Sequence, residues 1–281
     1  MSAVLALLAS VLWGSADFLG GTLARRAHAV AVVCGSQVLS LVVIVPFVLA
    51  TGAWHDPTGY LPWALAAGLI GMVSLVAFYA ALATGTMGVV APVAATGVVV
   101  PVALGLVTGD RPAWIQLGGV VLAVAGVVLA SGPEIRGADV ALGGVRSLVL
   151  ALFAAAGFGL VLWLLAKGGH FSVPMTLLTQ RTASLCVAIV LLATVRSVGG
   201  LGRRDVPLLL LIGAGDASAN AMYTFASRGA LISLVAVLGS LYPVVTVLGG
   251  RLVHGERMRP VQNVGVISAL AGVVLIAARG V

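Results

Sequence analysis

The sequence predicts an all-α integral membrane protein: ten transmembrane helices as two inverted five-helix repeats. Three observations predict it. Hydrophobic residues are 61% of the chain and charged residues 8%, against about 25% charged in a soluble domain, and the mean hydropathy is +1.19. No soluble interior hides that much apolar surface, so the bilayer is the solvent. Next, the chain falls into apolar runs of about the 20 residues a helix needs to cross the hydrocarbon. Barrel strands would be about 10 residues long and strictly alternating; these runs are longer and do not alternate. Finally, the chain repeats itself. Gly109-Asp110-Arg111, followed by Ala123-Val124-Ala125-Gly126-Val127-Val128-Leu129, returns as Gly255-Glu256-Arg257, followed by Ala269-Leu270-Ala271-Gly272-Val273-Val274-Leu275. The offset is 146 residues both from 109 to 255 and from 123 to 269. In a chain of 281 residues, such a period means two copies of one unit.

The spans are expected at 3–23, 30–50, 61–83, 88–108, 113–131, 143–166, 173–195, 206–227, 231–253 and 261–278, with short turns rich in Gly, Pro and charge between them. The first has no basic segment before it and no small-residue cleavage site clear of it, so it reads as a retained span rather than a signal peptide. Residues 1–131 form the first repeat, 132–142 the loop between repeats and 143–281 the second repeat. Trp13-Gly14 corresponds to Phe158-Gly159, and Gly71, Ser74, Tyr79 and Gly85 correspond to Gly215, Ser218, Tyr223 and Gly229. Each half has an odd number of spans, so the second enters the membrane from the opposite side. Inverted repeats of this kind are the usual scaffold of alternating-access transporters.

The formal charge is +7, but the basic residues sit mainly between apolar runs, which suits anionic headgroups and the positive-inside rule rather than nucleic acid. Cys34 and Cys186 lie inside apolar runs and read as small core residues, not as a disulfide. His28, His55, His170 and His254 are scattered over loops, so no metal site is expected, and no cofactor either. Lys167 is the one lysine, and no Gly-x-x-x-x-Gly-Lys-Ser/Thr run is present to hydrolyse ATP. His-Glu-x-x-His and Gly-x-Ser-x-Gly are also absent, which argues against the common membrane hydrolases.

Two five-helix repeats, a Trp-Gly pair in the first helix, and an acidic residue after the fourth helix followed by a Gly-rich fifth resemble the drug/metabolite transporter superfamily, in its ten-helix EamA-domain branch. The matching positions are Trp13-Gly14, Asp110 with Gly118-Gly119, and Glu256 with Gly265. The resemblance covers the whole chain, and its specificity lies in the order and repetition of the motifs. It implies export or exchange of small metabolites through a cavity between the halves. The chain departs from the pattern in two ways. The family often has a proline about 13 residues before each acidic residue; Pro243 stands there in the second half, but in the first half Pro101 is nearly one turn later. The second departure is orientation. Arg25, Arg26, Arg136, Arg146, Arg196, Arg203, Arg204, Arg251, Arg257 and Arg259 fall on the side of the loops after odd-numbered spans, and Arg111, Lys167, Arg228 and Arg279 on the other. This asymmetry predicts both termini outside, whereas the resemblance implies both in the cytosol.

Charges within spans are expensive and mark candidate functional sites. Here they are Asp17, Arg181 and Asp216, none with a charged counterpart in the other repeat. The scaffold is symmetric and the polar set is not, as a site for one asymmetric solute would be. Asp216, Asn220 and Tyr223 share one helical face, as do Ser10, Trp13, Gly14 and Asp17, and Thr176, Gln180 and Ser184. The expected substrate-binding residues are therefore Trp13, Asp17, Tyr79, Gln180, Arg181, Asp216, Asn220, Tyr223 and Tyr242. Arg181 would take a carboxylate or another anionic group; Asp216 would take an amine or a proton. Two carboxylates and one guanidinium leave a surplus negative charge, so Asp216 and Asp17 are the candidates for proton coupling. Pro101 and Pro243 would kink their helices and serve gating. Asp110 and Glu256 are expected to cap the helices that follow them, or to pair with Arg111 or Arg257. Gly119 and Ala123, with Gly265 and Ala269, would let the halves pack closely.

The polar residues also admit a structural reading: Arg181 and Asp216 as an ion pair locking two helices, and Asp17, about 12 Å along its helix from Arg25, reaching for the headgroups. Two functions follow. One is a secondary active exporter or exchanger of a small polar or amphiphilic metabolite such as an amino acid, working by alternating access and driven by a proton or solute gradient. The other is a non-transporting membrane scaffold or partner subunit. A membrane-embedded enzyme lacks any recognisable catalytic set. The partners expected are the lipid bilayer and a small-molecule substrate, with the chain working as a monomer or a weak dimer. The Ala-, Val-, Gly- and Leu-rich composition, with Arg almost replacing Lys, suggests a bacterial inner membrane.

Overall fold

The structure, a computed structural model, describes residues 1–85, 87–131, 142–195, 199–254 and 260–277. Among them the regular structure is entirely helical. The helices are α1 (Ser2–Ala24), α2 (Ala29–Leu39), α3 (Leu41–Thr51), α4 (Leu61–Thr84), α5 (Met87–Ala95), α6 (Val99–Val107), α7 (Trp114–Ser131), α8 (Leu142–Gly169), α9 (Val173–Val195), α10 (Val206–Arg228), α11 (Ile232–Gly239), α12 (Tyr242–His254) and α13 (Pro260–Ala277). Almost all of the expected loop between repeats, and Gly255-Glu256-Arg257, lie outside the described residues.

Seven helical segments are long and apolar enough to cross a membrane: Ser2–Ala24, Ala29–Thr51, Thr58–Thr84, Met87–Val107, Val145–Gly169, Val173–Ala193 and Ile232–Gly250. Each overlaps an expected span. The other three expected spans are also helical, as α7, α10 and α13. α7 is an apolar helix of 18 residues. α10 is 23 residues long, but Asp216, Ser218, Asn220 and Ser227 make it more polar than the rest.

Three crossing segments are broken near the middle, each close to proline. α2 runs into α3 ahead of Pro46. α5 and α6 are joined by a 3-10 turn, Thr96–Val98, ahead of Pro101. α11 and α12 are joined at Ser240 and Leu241, ahead of Pro243. Proline has no N–H for the carbonyl four residues back, and its ring crowds that carbonyl, so the helix bends in the preceding turn.

The packing is that of a membrane bundle, with small residues inside and large apolar ones outside. α1 buries Ala6, Ala9, Ser10, Gly14, Ala16, Gly20 and Gly21 and exposes Val4, Leu8 and Val11. Without a hydrophobic drive between helices in lipid, close backbone approach supplies the attraction, and small residues permit it. Gly14 sits against the Tyr242 carbonyl and Val245 of α12, where Thr246 Oγ1 donates to the Gly14 carbonyl at 3.1 Å. Gly68 of α4 lies on the Gln180 carbonyl and Ala183 of α9, and Ser184 Oγ donates to the Gly68 carbonyl at 3.0 Å. α1 packs against α10 and α12, α4 against α8 and α9, and α7 against α13. In that last pair Gly272 meets Gly119 and Ala123.

Described connections expected to share a side meet. Arg26 donates to Asp205 Oδ1 at 2.5 Å and His28 N to the Gly199 carbonyl at 3.2 Å, joining the α1–α2 and α9–α10 connections. Contacts of Gly59 with Phe171, and of Gly229 with Ser2, gather the opposite set. Asp110 belongs to that set, and its role differs from the one expected. Gly109, at φ 115°, turns the chain so that Asp110 Oδ2 accepts from Ser233 N at 2.8 Å, at the start of α11 rather than of α7. The first turn of α7 is capped by Gln116 Oε1, which accepts from Ala113 N at 2.9 Å.

Candidate functional site

One cavity collects the polar residues of the bundle interior. It is lined by Trp13 and Asp17 of α1, Gln37 of α2, Gly71 and Leu75 of α4, Phe158, Val161 and Leu162 of α8, Gln180, Arg181 and Ser184 of α9, Asp216 and Asn220 of α10, and Gly239, Ser240 and Tyr242 at the α11–α12 break. Most of these helices contribute from near their middle, so the cavity lies at mid-depth, and both ends of the chain build it. It leaves about 100 Å³ for the centres of water molecules, where one water needs roughly 10–15 Å³.

Seven of the nine expected binding residues line it: Trp13, Asp17, Gln180, Arg181, Asp216, Asn220 and Tyr242. Tyr79 and Tyr223 do not; they form the layer behind. The Tyr79 ring fills the notch left by Gly20, with its hydroxyl 3.4 Å from the Ala16 carbonyl as donor. Tyr223 is fully buried, its ring centroid 5.6 Å from that of Trp13. Both support the α1 wall rather than face the space.

The charges are arranged around Arg181, whose side chain is 2% exposed. One terminal nitrogen donates to Asp216 Oδ2 at 2.8 Å; the other donates to Gln37 Oε1. Asp216 is held in turn by Asn220, whose Nδ2 donates to Asp216 Oδ1 at 3.1 Å and to the Asp216 carbonyl at 2.8 Å. The i, i+4 spacing on α10 makes that clamp possible. Arg181 therefore ties α9 to α2 and α10. Asp17, at 9% exposed, has no hydrogen bond or ion pair among the described residues. Three other polar atoms at the cavity are buried without a partner: Gln180 Oε1, Arg181 Nε and the Tyr242 hydroxyl.

Gln37 was the residue sequence reasoning missed, although its position held a signal: it is the repeat counterpart of Gln180. The pairing of Arg181 with Asp216 is the arrangement the structural reading expects, yet both members also line the cavity. Pro101 lies in the first turn of α6 and Pro243 in the first turn of α12. Pro243 leaves the Gly239 carbonyl, at the cavity wall, without its helical donor. The 3-10 turn ahead of Pro101 lets Gly97 sit directly on the α8 backbone at Ala155 and Gly159, one side chain away from Phe158.

Comparison with known proteins agrees with this architecture. One solved crystal structure superposes with a TM-score of 0.79, covering 99% of this chain and 96% of that chain at 14% identity, a likeness of fold alone. No curated protein sequence matches. Residues 1–132, just under half of the chain, match the EamA-like transporter family.

Proposed function

We propose that this multi-pass membrane protein, a transporter of the drug/metabolite type, is a secondary active exporter or exchanger of a small polar or amphiphilic metabolite. Two inverted five-helix repeats, residues 1–131 and 143–281, would rock about the mid-depth cavity and open it to each side in turn. The observation that carries this reading is the set of Asp17, Arg181 and Asp216, within the membrane interior, around a cavity with room for several waters. Ionisable residues in the membrane interior are retained where they handle a solute or a proton. Asp17 and Asp216 against one guanidinium form a site able to exchange a proton for part of its cargo. The breaks ahead of Pro101 and Pro243 supply flexible points next to the cavity wall.

The test is solute exchange across liposomes holding the purified chain. Counterflow of a small amine or amino acid is expected with wild type and is lost in Asp216→Asn, while the variant still elutes as a folded monomer or dimer. The Arg181–Asp216 pair favours a second reading, a scaffold whose ion pair locks α9 to α10. In that case no solute exchanges, and Asp216→Asn lowers stability alone.

A further inference from the structure

The charge arrangement says more about the solute than its size. A carboxylate-bearing ligand is held best by a guanidinium whose charge is not already matched by another carboxylate. Both terminal nitrogens of Arg181 are engaged, by Asp216 and by Gln37. Each terminal nitrogen keeps a second N–H, but the charge behind them is already matched by the Asp216 carboxylate. Among the described residues no other basic residue lines the cavity. The charge left without a partner is the Asp17 carboxylate.

The remaining unpartnered groups point the same way. Gln180 Oε1 is an acceptor, and the Tyr242 hydroxyl accepts as well as donates. Only Arg181 Nε is solely a donor. An ammonium group has three donors and no acceptor. The rings of Trp13, Phe158 and Tyr242 line the same space, and aromatic faces attract cations. Leu75, Val161 and Leu162 complete an apolar wall.

We infer that the cavity selects small organic ammonium compounds with an apolar body and rejects their carboxylated counterparts, with Asp17 as the counter-ion and Gln180 and Tyr242 as further hydrogen-bond partners. This rests on the reading of the cavity as the substrate site. It replaces the expected role of Arg181 as a carboxylate binder by that of a positioning residue, which fixes Asp216 and Gln37 and leaves Asp17 unmatched. A zwitterionic amino acid would place its carboxylate beside two carboxylates and a guanidinium already paired with one of them.

The test uses matched pairs that differ only in the carboxylate: 2-phenylethylamine and phenylalanine, isoamylamine and leucine, isobutylamine and valine. Thermal unfolding of the purified full chain in detergent is followed with each. The amines are expected to raise the midpoint in a concentration-dependent way, and the amino acids to bind about 10- to 100-fold more weakly, as loss of one charged contact would cause. Asp17→Asn is expected to abolish the amine shift, and Asp17→Glu to keep part of it. The wild-type comparison stands even if Asp17→Asn does not fold. Equal or stronger responses to the amino acids, or no response to any amine, would overturn the inference. Amine binding without exchange of any solute in liposomes would leave it standing and remove the transporter reading. Exchange of amino acids without amine binding would do the reverse.

Discussion

Replacing Asp216 by Asn should cost stability out of proportion to the change in size. Arg181 is 2% exposed and Asp216 20%, so the guanidinium depends on protein partners. Removing one member of a buried ion pair costs about 3–5 kcal/mol, because the other charge is left uncompensated. Two features lower that figure. Asp216 is partly exposed, and Gln37 still accepts from Arg181. About 2–3 kcal/mol is therefore expected. Arg181→Gln should cost a similar amount by stranding Asp216. The double variant, with no charge left to strand, should cost clearly less than the sum, giving a coupling of about 2 kcal/mol in a double-mutant cycle. Equilibrium unfolding of the four proteins in detergent measures it. Single costs that add to the double within about 0.5 kcal/mol would mean that the pair does not hold α9 to α10, and the account of the site's rigidity would fail.

Three further predictions test the packing and the electrostatics. Gly68→Ala would push a methyl onto the Gln180 carbonyl and Ala183; overpacking of about 1–3 kcal/mol should appear as a lower melting midpoint, and an unchanged midpoint would refute the close α4–α9 contact. Tyr242→Phe removes a buried hydroxyl that has no protein partner. Stability should hold or rise slightly, while affinity for a bound amine falls; a large loss of stability would show a partner the geometry lacks. Asp205 lies outside the spans, and its carboxyl is held below its ordinary value of 3.8, first by the Gly202 N–H and then by Arg26. A depressed folded value means that its contribution is present above pH 3.8 and lost as pH falls through the lower folded value. The link between the α1–α2 and α9–α10 connections should thus persist through mild acid. Asp205→Asn should remove the acid dependence of amide-exchange protection around Gly199–Val206.

Membrane residence was legible from composition alone, since an apolar run of about 20 residues has one stable solution in lipid: a helix with every backbone group paired internally. Most of the polar residues that line the cavity were legible for a related reason. Burying Asp17, Arg181 or Asp216 costs too much to occur without a partner or a role, so the three stood out against their apolar neighbours. Periodicity added Asn220, because i+4 on α10 must share the face of Asp216. Tyr79 and Tyr223 were misplaced because an aromatic ring suits a cavity wall and the layer behind it equally well. Their position is decided by Gly20 and Trp13 on a different helix.

The partners themselves belong to the tertiary structure. Spacing along α9 puts Arg181 on a face but says nothing of whether Gln37, 144 residues away, takes one of its nitrogens. Nor does it say that Asp216 takes the other and Asp17 none. That distribution pairs the one guanidinium and leaves one carboxylate over. Asp110 shows the same limit: its sequence neighbours suggest a cap for α7, and the fold sends it to α11. Local pattern is set by the period of the helix, which each stretch of chain carries within itself. Which charge is neutralised depends on how helices far apart in sequence are packed, and only their close approach through small residues brings those groups within hydrogen-bonding reach.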